Sequence, residues 1–445
     1  MASDPLTPPP PLTPLPGESG LPFVGEAFAL LADPFAFVRE RAARHGPVVR
    51  SRLMSRNLVV LSGPQTAEAF LDEANVRRAG AMPPHVAALF GSGVVKQLDG
   101  ESHRVRKRHL MRALDNAALA HYLPQIRTLL RKRMARWHAA GEVSLQDETV
   151  LASLELVLAN FAGLSETDPV CARYAKGFVD VAHALFGFPV ALPGTALRRA
   201  QAFTRELRGR FAAVVAERRR APTGDGASRL VASEVDGARL SDDDIAKELF
   251  HLAAAGGGIW AWCCLGVKAL ADDPALRDRL ARAVAALEPE ASGRALGEVA
   301  LLDGFVREIK RMGLVFPFTA FGVAVRAFSV AGHTVPKGGL VTWSTHASHV
   351  VDGVAPYAAP GRFDPDRFAP ERGEGRAAHA FAPQGPGAAL ATHRCAGVEY
   401  STLVLQVFFA ELLRGPRFVL PPQDFRLDGS TLPARYRGGM RVRFE

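Results

Sequence analysis

Apolar positions along this chain recur mainly at helical spacing. Ala117 to Ala139, Leu197 to Arg219, Ser241 to Ala271 and Leu403 to Leu413 each place hydrophobic residues three and four apart, the period of one buried helix face. Ser241 followed by Asp244 predicts an N-cap with acids in the first turn, and Pro274 predicts a stop at the far end. Extended patterns are few. Val48-Val49-Arg50 and Leu58-Val59-Val60 predict a short hairpin, and Phe328 to Val330 with Leu340 to Trp343 a second one, turned at Pro336-Lys337-Gly338. The predicted fold class is mostly α, a single large helical domain with small peripheral β-sheets. The beginning of the chain is different: between Met1 and about Gly20 stand Pro5, Pro8 to Pro11, Pro14 and Pro16, which predicts an extended, solvated tail over 1–20 ahead of a domain over 21–445.

Composition adds bounds. A chain of 445 residues that is 48% hydrophobic can bury a large core, and no break in composition divides it. The longest uncharged stretch, Leu252 to Val267, carries three consecutive glycines and falls short of the ~20 apolar residues a membrane span needs. The proline-rich start lacks the apolar core of a signal peptide, so the expectation is a soluble, cytoplasmic protein with no membrane partner. The net charge of +9 comes from arginines scattered through helical segments without interleaved aromatics, a solvated-face pattern that argues against nucleic acid. Four cysteines, Cys171, Cys263, Cys264 and Cys395, form no Cys-x-x-Cys pair and no disulfide framework, which fits a reducing compartment.

Cys395 is where the chemistry concentrates. It follows Phe381-Ala-Pro-Gln-Gly-Pro-Gly-Ala-Ala-Leu-Ala-Thr-His-Arg and precedes Ala396-Gly397 and a helix-period run, so one thiol stands on a glycine-punctuated loop beside His393 and Arg394. Positive charge and backbone N–H groups favour a thiolate, and a thiolate axial ligand pushes electron density onto haem iron. Gly385, Gly387 and Gly397 would let backbone approach a flat macrocycle closely. Upstream, Glu308 and Arg311 lie three apart on one helix face, where a carboxylate and a guanidinium can pair, and Phe363-Asp-Pro-Asp-Arg367-Phe368 supplies a second arginine.

In this order the three motifs resemble those of the cytochrome P-450 haem-thiolate enzymes, and the resemblance runs from about Pro16 to the C-terminus. It implies that the cofactor is haem b (iron protoporphyrin IX), that Cys395 is the iron ligand with Gly397 beside it, and that Glu308, Arg311 and Arg367 brace the cysteine loop. Propionates would be held by His103 and Lys107, four apart on one helix face, by His393, and by an arginine in the strand after Pro317, for which Arg326 is the nearest candidate. Two stretches are similar to the fatty-acid peroxygenase branch: Leu89-Phe90-Gly91 through Val95-Lys96-Gln97-Leu98-Asp99-Gly100-Glu101-Ser102-His103, and the lengthened cysteine loop, which lies on the face where a redox partner would otherwise dock.

The distal helix departs from the family. Its members carry an acid followed by a threonine that relay protons to dioxygen, or, in the peroxygenase branch, an Arg-Pro pair that binds a substrate carboxylate. Ala253-Ala254-Ala255-Gly256-Gly257-Gly258-Ile259 offers neither, and the Arg-Pro positions fall on Ala254 and Ala255. Three glycines inside a helix cost about 1 kcal/mol each relative to alanine, which calls either for close helix packing or for a local widening against haem or substrate. Lys96 stands where the peroxygenase branch has a glutamine or histidine above the iron. There it would bind an anion or exchange a proton, unless it is an outward-facing loop lysine. These features lead to the expectation of a peroxygenase-like oxidoreductase using hydrogen peroxide on a small, largely apolar organic substrate without a redox partner. Pocket walls are expected from Met82 to Val95, Ala253 to Ile259 with Gly258 among them, and Phe316 to Phe321. A dioxygen-dependent monooxygenase with an unusual proton relay is the alternative. A rearrangement or dehydration catalyst acting on a pre-oxidised substrate is another, and a haem-binding sensor or carrier without turnover a third.

Overall fold

A computed structural model of the protein describes residues 14–186 and 190–445. The prolines of the predicted tail up to residue 13 lie outside the described residues. Within the rest of that stretch, Pro16 accepts a hydrogen bond from Arg50 N at 2.7 Å and Gly17 forms a bridge with Arg50.

Nine helices carry the architecture around the site: α1 Gly100–Met111, α2 Asn116–Ala140, α3 Leu145–Ala162, α4 Asp168–Phe186, α5 Ala196–Arg220, α6 Asp242–Gly256, α7 Trp260–Asp272, α8 Ala300–Met312 and α9 Val398–Arg414. The four predicted helical stretches are all present. The stretch from Ser241 is capped as expected, with the Ser241 hydroxyl accepting from Asp244 N at 3.1 Å, but it forms two helices rather than one. Between α6 and α7 the hydrogen bonds shorten to three-residue spacing, Gly258 N to Ala255 O and Ile259 N to Gly256 O, so the helix tightens at the glycines. The close-packing reading accounts for Gly256, where an added Cβ would lie 2.4 Å from Val157 Cγ1 of α3. Helix α3 is apolar nearly all round and forms the centre of the main core, with α4, α6 and α7 packed about it. The residues from Asp242 to Asp272 are long and apolar enough to cross a membrane, yet 61% of the most apolar window is buried inside the protein, as a central core helix would be.

The principal sheet is built from β1 Val48–Leu53, β2 Arg56–Leu61, β3 Val76–Arg77, β4 Gly322–Ala324 and β7 Leu340–Trp343 in the order β1-β2-β7-β4-β3, with β5 Phe328–Val330 and β6 His333–Val335 forming a separate hairpin. The first predicted hairpin is β1 and β2, with Val49 opposite Val60. The second is corrected. Strand β5 pairs with β6, not with β7, because Ala331 (φ 45°) and Gly332 (φ 80°) close a tight turn right after it. Strand β7 is buried at every position and belongs inside a sheet, where it pairs parallel with β2 and antiparallel with β4.

Candidate functional site

Under the cysteine loop lies a buried ion network. Glu308 and Arg311 project from α8 and meet Arg367 with all three side chains fully buried. Arg311 donates to both Glu308 oxygens at 2.7 and 2.8 Å, and Arg367 Nε donates to Oε1 at 3.1 Å. The remaining donors of Arg311 go to the carbonyls of His349, Pro360 (2.7 Å) and Arg362 (3.1 Å). His349 continues the chain of contacts, since its Nε2 accepts from Ala382 N at 2.9 Å at the start of the cysteine loop. A buried charge cluster is tolerated only when its donors and acceptors are satisfied, and this one is.

The loop above it is closed by its own backbone, with Cys395 N donating to Gln384 O at 3.0 Å. Gly385 and Gly387 occupy φ of +99° and +93°, which side chains rarely adopt, and a Cβ on Gly397 would lie 3.8 Å from the Cys395 sulfur. Lys310 of α8 pins the following helix by donating to Val398 O (2.9 Å) and Thr402 Oγ1 (2.7 Å), and burial lowers its pKa to about 7. Burial holds the Cys171 and Cys264 thiols up at about 12, while Cys395 is partly exposed and lines a cavity of about 780 Å³.

His103 and His393 stack at the edge of this cavity with ring centroids 3.9 Å apart. Both ring nitrogens of His103 and Nε2 of His393 are buried without a hydrogen-bond partner. Burial lowers the pKa of His103 to about 4 and that of His393 to about 2. Unpartnered buried nitrogens are costly, and these would be satisfied by carboxylates entering the cavity, whose negative charge also favours the protonated rings that can donate from both nitrogens. A macrocycle with two carboxylates fits that requirement, with the open glycine backbone and the single thiol below it. Lys107 lines the same edge and also clamps the loop through the carbonyls of Arg394 and Thr392.

Arg326 is corrected. It lies on the surface, its side chain 60% exposed, with Nε on Asn75 Oδ1 at 2.9 Å and a pairing with Asp72, and it does not line the cavity. A buried arginine that does line the cavity is Arg78, just after β3. It is buried, stacks over Phe70 and donates to Ala320 O. Strand β4 approaches it closely at Gly322, where an added Cβ would lie 2.4 Å from Val76 Cγ1 and 3.0 Å from Arg77 O, with Arg78 Nη1 at 3.4 Å. Burial lowers its pKa to about 10, well above neutrality, so it stays charged. Nothing in the sequence marks it, because Val76-Arg77-Arg78 reads as a solvated strand edge.

On the distal side, Ala254, Ala255, Gly258, Ile259 and Phe316 to Phe321 line the cavity as expected. Lys96 also faces it, so the outward-facing reading does not hold. Its ammonium sits 2.8 Å from the centre of the Phe90 ring and makes no hydrogen bond to another described residue. Burial lowers its pKa to about 7, against the raising effect of Glu248. Glu248 and His251 of α6 were not anticipated. Glu248 is fully buried and accepts from Val95 N at 2.8 Å, and His251 Nδ1 lies 3.2 Å from its other oxygen.

A mainly helical fold with a single loop thiol, a buried Glu-Arg-Arg brace beneath it and an apolar cavity above defines a haem-thiolate oxidoreductase. The chain matches the cytochrome P-450 family over residues 15–431 and belongs to it. It is 28% identical to cytochrome P-450 26C1 of Homo sapiens, covering 93% of this chain and 85% of that one. It is 26% identical to a β-amyrin 28-monooxygenase of Saponaria officinalis, over 96% and 90% of the two chains. In fold it is similar to the retinoic acid-bound structure of cyanobacterial CYP120A1, with a TM-score of 0.86 at 24% identity over 98% and 99% of the chains. A haem held by Cys395 would supply iron redox chemistry, and the chain around it would supply binding and orientation.

Proposed function

We propose that the protein is a monooxygenase that inserts one atom of dioxygen into an apolar small molecule bearing a carboxylate, with electrons delivered by a redox-partner protein. Each turnover converts RH and O₂ to ROH and water, taking up two electrons and two protons. The similarity to a named monooxygenase over nearly the whole chain supports the reaction class. The substrate class rests on one observation: no Asp or Glu side chain is among the described residues lining the cavity, while Lys96 presents an ammonium without a hydrogen-bond acceptor among apolar walls. A desolvated cation with nothing to donate to favours an anionic group on the ligand. Peroxide-driven oxidation is the second reading, favoured by the absence of an acid or hydroxyl side chain from Ala253 to Gly258.

The test uses the haem-loaded protein with retinoic acid and its methyl ester as probes of one skeleton with and without charge. The acid is expected to shift the haem spectrum and to bind tighter than the ester by on the order of tenfold, a difference of about 1.4 kcal/mol. With a ferredoxin, its reductase, NADPH and isotopically labelled dioxygen, one labelled oxygen atom is expected in the product. Equal binding of acid and ester would overturn the substrate class. Product formed with hydrogen peroxide and not with dioxygen and electrons would replace the monooxygenase reading with the peroxide one.

A further inference from the structure

The two protons that each turnover consumes must reach oxygen inside an apolar cavity, and the stretch of distal helix from Ala253 to Gly258 has no group to carry them. One turn earlier, the same helix presents His251 to the cavity. Its Nδ1 is 3.2 Å from Glu248 Oε2, and the other Glu248 oxygen is fixed by Val95 N at 2.8 Å, so the carboxylate cannot turn away. Phe90 packs edge-on against the imidazole, with ring centroids 6.3 Å apart, and limits its rotation. An imidazole whose Nδ1–H donates to a fixed carboxylate carries its lone pair on Nε2, and the carboxylate stabilises the ring when Nε2 gains a proton. Glu248 in turn touches the protein exterior through Arg106, 3.8 Å from Oε1, which pairs with the partly exposed Asp244 at 3.0 Å.

We infer that His251, held by Glu248, is the proton carrier of the distal cavity: Nε2 takes a proton from water entering the site and gives it to oxygen being reduced there, Glu248 orienting the ring throughout. The proton leaves Nε2 as the new O–H bond forms, and the electrons come from the redox partner. His251 is the group that would touch the reacting oxygen, and Glu248 is a positioning residue. Burial disfavours a resting imidazolium, against the raising effect of Glu248, and Lys96 and Lys107, facing the pair from the segment before α1 and from α1 itself, add to it, which keeps Nε2 free to accept. This inference rests on the monooxygenase reading for its need of two protons per turnover.

The experiment measures cyanide binding to the ferric haem protein, a process without turnover in which hydrogen cyanide must surrender its proton to a base in the cavity. Full haem content and the long-wavelength Soret band of the ferrous carbon monoxide complex show that a variant is folded. In folded His251→Phe, cyanide association is expected to slow on the order of 10²-fold, the usual worth of a positioned base. Under turnover the same variant should divert electrons to released hydrogen peroxide and show a larger solvent isotope effect. Glu248→Gln should show a weaker form of both effects, and if His251→Phe does not fold, His251→Asn is read in its place. Unchanged cyanide association and unchanged peroxide release would overturn the assignment of His251. Slowed cyanide association together with no label from dioxygen in the product would sink the monooxygenase reading and leave His251 as a base for peroxide chemistry. Label in the product with unchanged cyanide association would sink His251 alone.

Discussion

Arg311 to alanine is the sharpest probe of how this protein holds its cofactor. The wild-type guanidinium makes five hydrogen bonds, two to Glu308 and three to the carbonyls of His349, Pro360 and Arg362. In the variant, Glu308 keeps Arg367 Nε and Asp364 N, and Arg362 O keeps Arg367 Nη2, but the His349 and Pro360 carbonyls lose this donor inside the protein. Breaking a buried pair costs about 3–5 kcal/mol, and each carbonyl left unsatisfied costs about 1–3 kcal/mol, with some overlap between the two figures. A total near 5 kcal/mol is a large share of the roughly 5–15 kcal/mol by which a protein is stable. The urea midpoint should fall by about 1 M or more, and the purified variant should retain little haem. Arg372→Ala is the control. Arg372 pairs with Asp364 and Glu374 at the edge of the same network, but its side chain is 39% exposed, and such a pair contributes about 0–1 kcal/mol. Arg311→Lys should fall between the two, because one ammonium cannot span both carboxylate oxygens and the carbonyls beyond. An Arg311→Ala protein with full haem content and an unshifted midpoint would refute the idea that the brace holds the cysteine loop.

Three further outcomes are expected. Cys395→Ala should lose the long-wavelength Soret band of the ferrous carbon monoxide complex, and persistence of that band would mean that another side chain ligates the iron. Arg78→Ala should weaken haem affinity by on the order of 10- to 100-fold, as expected for losing a charge-assisted hydrogen bond, while Arg326→Ala leaves it unchanged; haem transfer to an acceptor globin measures both. Because the Lys96 ammonium titrates near pH 7 in the free protein and an anion favours its charged form, affinity for retinoic acid should be full just below that pH, where the acid is still ionised, and fall by about tenfold in all above it. In Lys96→Met it should be weak and flat with pH, and a flat profile in the unmodified protein would remove Lys96 from the binding site.

What the sequence revealed and what it hid follow a physical division. The thiol on a glycine loop, the Glu308–Arg311 spacing and Arg367 are short, ordered patterns, and each stands where that order implies. The first hairpin was legible because β1 and β2 are joined by only two residues, whereas β7 pairs with β2 across nearly 280 residues of intervening chain, and no local pattern records that choice. Arg326 misled because strand register is set by partners rather than by spacing from a proline. Arg78 was hidden for a complementary reason: it is held by the Phe70 ring and by the carbonyl of Ala320, on a segment remote from it in sequence. Glu248 and His251 look like ordinary residues of an amphipathic helix. Only the cavity shows that one is buried as an acceptor and the other aimed inward.

His349 joins two parts of the molecule that would otherwise be independent, since its carbonyl receives Arg311 and its Nε2 receives Ala382 N. That makes a single imidazole an acid fuse. Burial lowers its pKa to about 4, against about 6.5 in an unfolded chain, so the folded state holds fewer protons than the unfolded one between those values. Each pH unit descended across that window costs about 1.4 kcal/mol of stability. Near pH 4 the ring gains a proton at Nε2 and turns from acceptor to donor, facing an N–H that then has no partner. Acidification should therefore release the cysteine loop while the helices remain folded, so that thiolate ligation disappears at a higher pH than helical circular dichroism does. The working range of the enzyme on the acid side would be set beneath the cofactor, by a residue that never touches it.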